Sequence, residues 1–132
     1  MKSKKGIIFD LDGTLIDSIN DVHTCINQAL NDMQFPALSN TDIHTLIGPD
    51  LRVTLPKVVN NPLFKFDDFQ IIFANHYNQL STKTTALFPN VSSTLKTLKR
   101  QNKHCFILTN KPETQSRDIL KTLGILPLIS CV

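Results

Sequence analysis

The sequence has little charge of either sign in excess. Its 14 Lys and Arg stand against 11 Asp and Glu, leaving +3, and the one basic cluster is Lys2, Lys4 and Lys5. No stripe of Lys and Arg with interleaved aromatics is present, so the usual footprint of a nucleic-acid partner is missing. No apolar run approaches the roughly 18 residues of a membrane-spanning helix, so no membrane partner is expected. The Lys-rich start resembles the n-region of a signal peptide, but Asp10 and Asp12 cut the apolar stretch after a few residues. Cysteine is scarce: Cys25, Cys105 and Cys131 are odd in number, far apart and without a C-x-x-C spacing. They read as reduced thiols, and the expected location is cytoplasmic. Internal repeats, linkers and low-complexity tracts are also absent.

What remains is a globular composition, 41% hydrophobic and 19% charged over 132 residues. That length suits one ordinary domain or two small ones, and halves of about 65 residues would each have a marginal core.

Apolar spacing gives the element order. Lys5 to Phe9 (KGIIF) is a short continuous apolar run, as in a strand buried on both faces. Ser18, with Asp21 three residues on, predicts a capping-box variant opening a helix through Met33 that Phe35-Pro36 ends. Ser39 or Thr41 caps a short second helix stopped by Gly48. Pro49 opens a third, which Pro56 should kink or end, and a fourth begins near Asp67. Beyond Thr85, segments 91–102, 104–109 (HCFILT), 113–123 and 128–132 (LISCV) alternate helix and strand, with Gly124 as a C′ stop. Alternation of this kind predicts a parallel sheet, whose ligand site lies beyond the carboxyl ends of its strands.

Two polar clusters fall at such ends. The first strand runs into Asp10-Leu11-Asp12-Gly13-Thr14 and the second into Thr109-Asn110-Lys111. Carboxylates one residue apart can face one crevice, where their repulsion favours a divalent cation. Oxygen donors alone suit Mg²⁺, which retains water and recruits phosphate oxygens. One carboxylate can then attack phosphorus while the other handles protons. A competing reading is a β-hairpin on Asp12-Gly13, with GIIFDL and TLI as arms. An EF-hand loop is excluded, because its required Gly and Glu positions hold Leu15 and Asp21. Thr109 and Asn110 suit a phosphate seat at a helix start, or simply cap that helix. The residues alone leave both pairs of alternatives open.

The block IIFDLDGTLIDS (7–18), followed far downstream by CFILTNK (105–111), resembles the haloacid-dehalogenase-like phosphatase superfamily. LIGPDLR (46–52), LFPNV (87–91) and TNKPETQSRDILKTLGI (109–125) are most similar to its phosphoglycolate-phosphatase type. The resemblance implies an α/β fold: a Rossmann-like parallel-sheet core, incomplete with about three strands, and an inserted α-helical cap domain. The expected boundaries are 1–16 plus 85–132 for the core and 17–84 for the cap. It implies that Asp10 is the phosphorylated nucleophile and a Mg²⁺ ligand. Asp12 would be the general acid/base, giving its backbone carbonyl to the metal. Thr109 and Asn110 would hold the phosphoryl group, and Arg52 matches a cap position that can face substrate or stand as a solvated helix residue.

Three departures accompany the resemblance. Asn90 replaces a usual Gly, although Asn also tolerates a left-handed conformation. Pro56 within a cap helix is unusual. The third is that the family's downstream Lys, its acidic Mg²⁺ motif and the strand bearing that motif are expected beyond Val132. Loss of the Lys alone should cost about 10²–10³ in rate. Lys111 is expected at the surface, at the start of the following helix, with partial substitution for that cation as the alternative. The first strand should show an unpaired apolar edge open to self-association.

The sequence thus predicts a Mg²⁺-dependent phosphatase acting on a small phosphorylated metabolite, C-terminally truncated, and weakly active or inactive as this chain. The alternative is a non-catalytic remnant acting as a phosphate-binding or interaction module.

Overall fold

The computed structural model describes residues 6–80 and 83–132. Lys2, Lys4 and Lys5, and the first residue of the expected KGIIF strand, lie outside the described residues. In chain order the elements are β1 (Gly6–Phe9), β2 (Ile16–Asp17), α1 (Ile19–Asp32), α2 (Asn40–Leu46), α3 (Leu51–Val59) and α4 (Phe66–Leu80). Then come β3 (Ala86–Leu87), α5 (Val91–Arg100), β4 (His104–Ile107), α6 (Glu113–Thr122) and a 3₁₀ turn, Leu126–Leu128. The chain divides into two compact units, Met1–Asp17 with Ala86–Val132, and Ser18–Thr85.

In the first unit β1 and β4 pair in parallel, with Gly6 opposite His104 and Phe9 opposite Ile107. The alternation of strands buries Cys105 and Ile107 on one face, together with Leu95 of α5 and Ile119 and Leu120 of α6. Among the described residues the other face is exposed, so the expectation of a strand buried on both sides does not hold there. Ile8 is 67% exposed and Leu108 73%. LISCV is not a full strand either. Pro127 sits in the 3₁₀ turn, and among the described residues of this segment only Cys131 bridges β4, at Phe106. Among the described residues the sheet is thus parallel, short and incomplete: a pair of strands to which a third segment is joined by one bridge. The α6 helix closes as its sequence requires: Gly124 has φ +73°, and the N–H groups of Gly124 and Ile125 donate to the carbonyls of Lys121 and Leu120. Asn90 at the head of α5 has φ +66°, the left-handed conformation anticipated for it.

The second unit is helical. α1 packs on α4, burying Val22, Cys25, Ile26, Ala29 and Leu30 on one side and Phe69 and Tyr77 on the other. Phe69, Phe73 and Tyr77, four residues apart, stack at 5.5 and 5.4 Å. The Ser39 capping box forms, with Asp42 as its reciprocal partner. Pro56 does not end α3, which continues to Val59 before Asn60 caps it in the left-handed region.

The capping box expected at Ser18 is absent, because Asp21 is committed elsewhere. No Ser18 side-chain cap bond forms. Asp21 instead accepts hydrogen bonds from the N–H and hydroxyl of Thr84 and from the N–H (2.8 Å) and hydroxyl (2.7 Å) of Thr85. Burial alone would raise its proton affinity, but the hydrogen bonds from Thr85 and Thr84 outweigh that and hold the carboxyl below the usual range. The cysteines form no disulfide. Burial pushes the Cys105 thiol up.

Candidate active site

β1 ends at Asp10, an exposed carboxylate whose Oδ1 accepts the N–H of Leu11 at 2.7 Å. The chain then curls tightly. The Leu11 carbonyl accepts the N–H groups of Thr14, Leu15 and Ile16, while Gly13 N–H donates to the Ile16 carbonyl. Gly13 has φ +78°, a conformation that costs a residue with a Cβ. Leu11 is fully buried beneath this turn. These bonds decide against the hairpin: β1 pairs with β4, and Ile16–Asp17 pairs with Ala86–Leu87.

Parallel pairing brings the second cluster to the same edge. Leu108 N–H donates to the Phe9 carbonyl at 2.9 Å, so Asp10 and Thr109 leave neighbouring strand ends together. The Thr109 hydroxyl accepts the N–H of Lys111 at 3.1 Å, which shapes the loop ahead of Pro112 and α6. Asn110 lies within that loop and is exposed.

Lys111 is not the surface residue expected. Its side chain is 9% exposed, and Nζ lies 3.3 Å from Asp12 Oδ1, whose side chain is 16% exposed. A lysine is rarely this buried without a partner. The pair therefore fastens the turn after β1 to the loop after β4. The signal in the sequence was Lys111 itself, two residues past Thr109, but nothing in the spacing shows which way a loop side chain turns.

Arg52 belongs to the second unit, in the first turn of α3. It is 54% exposed, bonded at 2.8 Å to both Asp67 and Gln70 of α4, with its guanidinium 4.8 Å from the Phe66 ring centre. These contacts give it a local role joining α3 to α4.

The resemblance assigns two donors at the sheet edge to a cation. They are oxygens, the Asp10 carboxylate and the Asp12 backbone carbonyl. Among the described residues no group of three or more His, Cys, Asp or Glu is placed to enclose a metal. A donor set this small suits Mg²⁺, which keeps several waters and takes phosphate oxygens, and does not suit a softer ion held wholly by protein.

The family model for haloacid dehalogenase-like hydrolases matches residues 7–132. The chain is 31% identical to a phosphoglycolate phosphatase from Cereibacter sphaeroides, across 96% of this chain and 61% of that protein. It is also 31% identical to one from Vibrio cholerae, across 100% and 62%. A crystal structure of a predicted phosphoglycolate phosphatase from Haemophilus somnus superposes with a TM-score of 0.85 at 34% identity, covering 99% of this chain and 62% of that one. The chain thus spans about three-fifths of the length of the curated relatives it matches.

Proposed function

This chain belongs to the haloacid dehalogenase-like hydrolase family, and on that premise we propose that it is a Mg²⁺-dependent phosphatase of small phosphomonoesters, phosphoglycolate-like in substrate class. The observation that carries the proposal is the shared strand edge. Asp10 stands exposed at the end of β1, Asp12 follows in the turn with its side chain against Lys111, and Thr109 leaves the adjoining end of β4.

In this mechanism a carboxylate oxygen of Asp10 attacks phosphorus, forming an aspartyl-phosphate as the bond to the leaving oxygen breaks. In the substrate complex Asp12 takes up a proton, as the phosphoryl group takes over the Lys111 charge, and gives that proton to the leaving oxygen. Asp12 then takes a proton from water as the water attacks phosphorus, which frees Asp10 and releases inorganic phosphate. Thr109 and Asn110 hold the phosphoryl oxygens by hydroxyl and amide. Mg²⁺, held by Asp10 and the Asp12 carbonyl, would neutralise the charge of the phosphoryl oxygens. The second proton-handling Asp favours ester hydrolysis over dehalogenation, since a halide leaves without a proton. The core assignment to 1–16 plus 85–132, the cap assignment to 17–84, a substrate contact at Arg52 and a cytoplasmic location belong to the same proposal.

The chain spans about three-fifths of the length of the curated relatives it matches, and the proposal for these 132 residues on their own is slow or absent turnover. The test is p-nitrophenyl phosphate hydrolysis with Mg²⁺. Trace activity lost in Asp10→Asn supports the proposal, activity unchanged in Asp10→Asn refutes the nucleophile, and fast steady turnover refutes the expected weakness. A second reading, an interaction module, rests on exposed Ile8 and Leu108 and on β1, which among the described residues pairs only with β4. It predicts self-association that sedimentation would detect.

A further inference from the structure

We infer that Lys111 binds the phosphoryl group of the substrate, its ammonium acting as the fixed positive charge of the phosphate seat. The inference rests on the phosphatase reading and extends it by one residue.

Neither the surface nor the helix explains where this side chain lies. Lys111 stands ahead of α6, at the positive end of the helix dipole, where a cation is disfavoured. It is nevertheless 9% exposed, whereas Lys121, in the last turn of the same helix, points to solvent as the dipole prefers. Holding an ammonium away from water requires an anion, and Asp12 supplies one. Yet the separation is 3.3 Å, longer than the roughly 2.7–2.9 Å of a tight charge-assisted bond.

Its position gives the charge a use. The Lys111 N–H is bonded to the hydroxyl of Thr109, so the residue is fixed by the phosphate-seat loop at its backbone and by the β1 turn at its tip. A phosphate dianion approaching Asp10 meets two carboxylates at that edge. Lys111 carries the compensating charge between the two segments that make the site.

The competing explanation is a purely structural ion pair, and phosphate binding separates the two. Inorganic phosphate is titrated into the protein at fixed Mg²⁺ concentration, followed by amide shifts of Thr109 and Asn110. Lys111→Met should weaken the dissociation constant about 10- to 100-fold, the expected worth of one charged hydrogen-bonding partner. Lys111→Arg should stay within a few-fold of wild type. Lys121→Met, which removes the same charge from the exposed end of α6, should change nothing. Should Lys111→Met fail to fold with Asp12 left unpaired, the same loss must appear between Asp12→Asn and Asp12→Asn/Lys111→Met. Equal affinity in wild type and Lys111→Met, or between those two Asp12→Asn proteins, overturns the inference and leaves the phosphatase reading standing. Equal losses in Lys111→Met and Lys121→Met also overturn it. Absence of phosphate binding in wild type overturns both.

Discussion

Asp21→Asn should destabilise the helical unit far more than a surface change would. The carboxylate is buried and accepts the N–H and hydroxyl of Thr84 and of Thr85. The amide keeps one acceptor oxygen but turns its NH₂ group toward groups that already donate. Thr85 is buried, so its stranded N–H bears a desolvation cost of about 1–3 kcal/mol. Thr84 is exposed and water can replace its bonds, which leaves a loss of about 0.5–1.5 kcal/mol there. The expected total is about 1.5–4.5 kcal/mol. Urea unfolding followed by far-ultraviolet circular dichroism reads it directly.

The pH dependence supplies a second, independent check. The folded carboxyl titrates below its ordinary value, near 3.9 when unfolded (about, for a model peptide). Its contribution is therefore complete above the unfolded value and is lost as pH falls through the folded one. The gap between wild type and Asp21→Asn should be constant near neutrality and close below about pH 4. A cost under about 0.5 kcal/mol at pH 7, the range of ordinary surface substitutions, would refute the reasoning. So would a gap that survives acidification unchanged.

Gly13→Ala tests the turn. A Cβ there meets nothing within 4 Å, so the cost is the strain of φ +78° alone, about 1 kcal/mol and visible as a lower Tm; an unchanged Tm would contradict the turn geometry. Thiol labelling with a chromogenic disulfide should modify exposed Cys131 first, with Cys25 and Cys105 reacting only on unfolding; early loss of the Cys105 thiol, whose proton is held by burial, would contradict the packing of β4. Arg52→Ala, which removes exposed contacts to Asp67 and Gln70, should lower stability by less than about 1 kcal/mol in a urea titration; a larger loss would mean that the α3–α4 bridge is underestimated.

Much of the site was legible because it is local. The DLDGT turn has Gly13 at its positive-φ position, and the parallel pairing brings Thr109 to the end where Asp10 emerges. Capping at Ser39 and Gly124 follows from neighbours a few residues away. The errors were long-range. Asp21 has the spacing of a capping box but bonds to residues more than sixty positions on, which no local pattern encodes. Burial of KGIIF on both faces follows from its apolar character alone, yet burial depends on how many helices cover the sheet, and the described residues of the first unit cover one face. LISCV has the composition of a strand, but Pro127 starts it as a 3₁₀ turn and leaves one bridged residue. Lys111 turned inward toward a partner about a hundred positions earlier in the chain.

The most direct test of the phosphoryl site is to label its nucleophile. The 132-residue protein is incubated with Mg²⁺ and acetyl phosphate, whose reactive bond reduces what the site must supply. Borohydride then reduces any aspartyl-phosphate, and peptide mass spectrometry locates the product. The expected result is slow modification at Asp10, abolished in Asp10→Asn and dependent on Mg²⁺. Modification at Asp12, or none at any carboxylate, would contradict the assignment of Asp10 as the residue that takes the phosphoryl group.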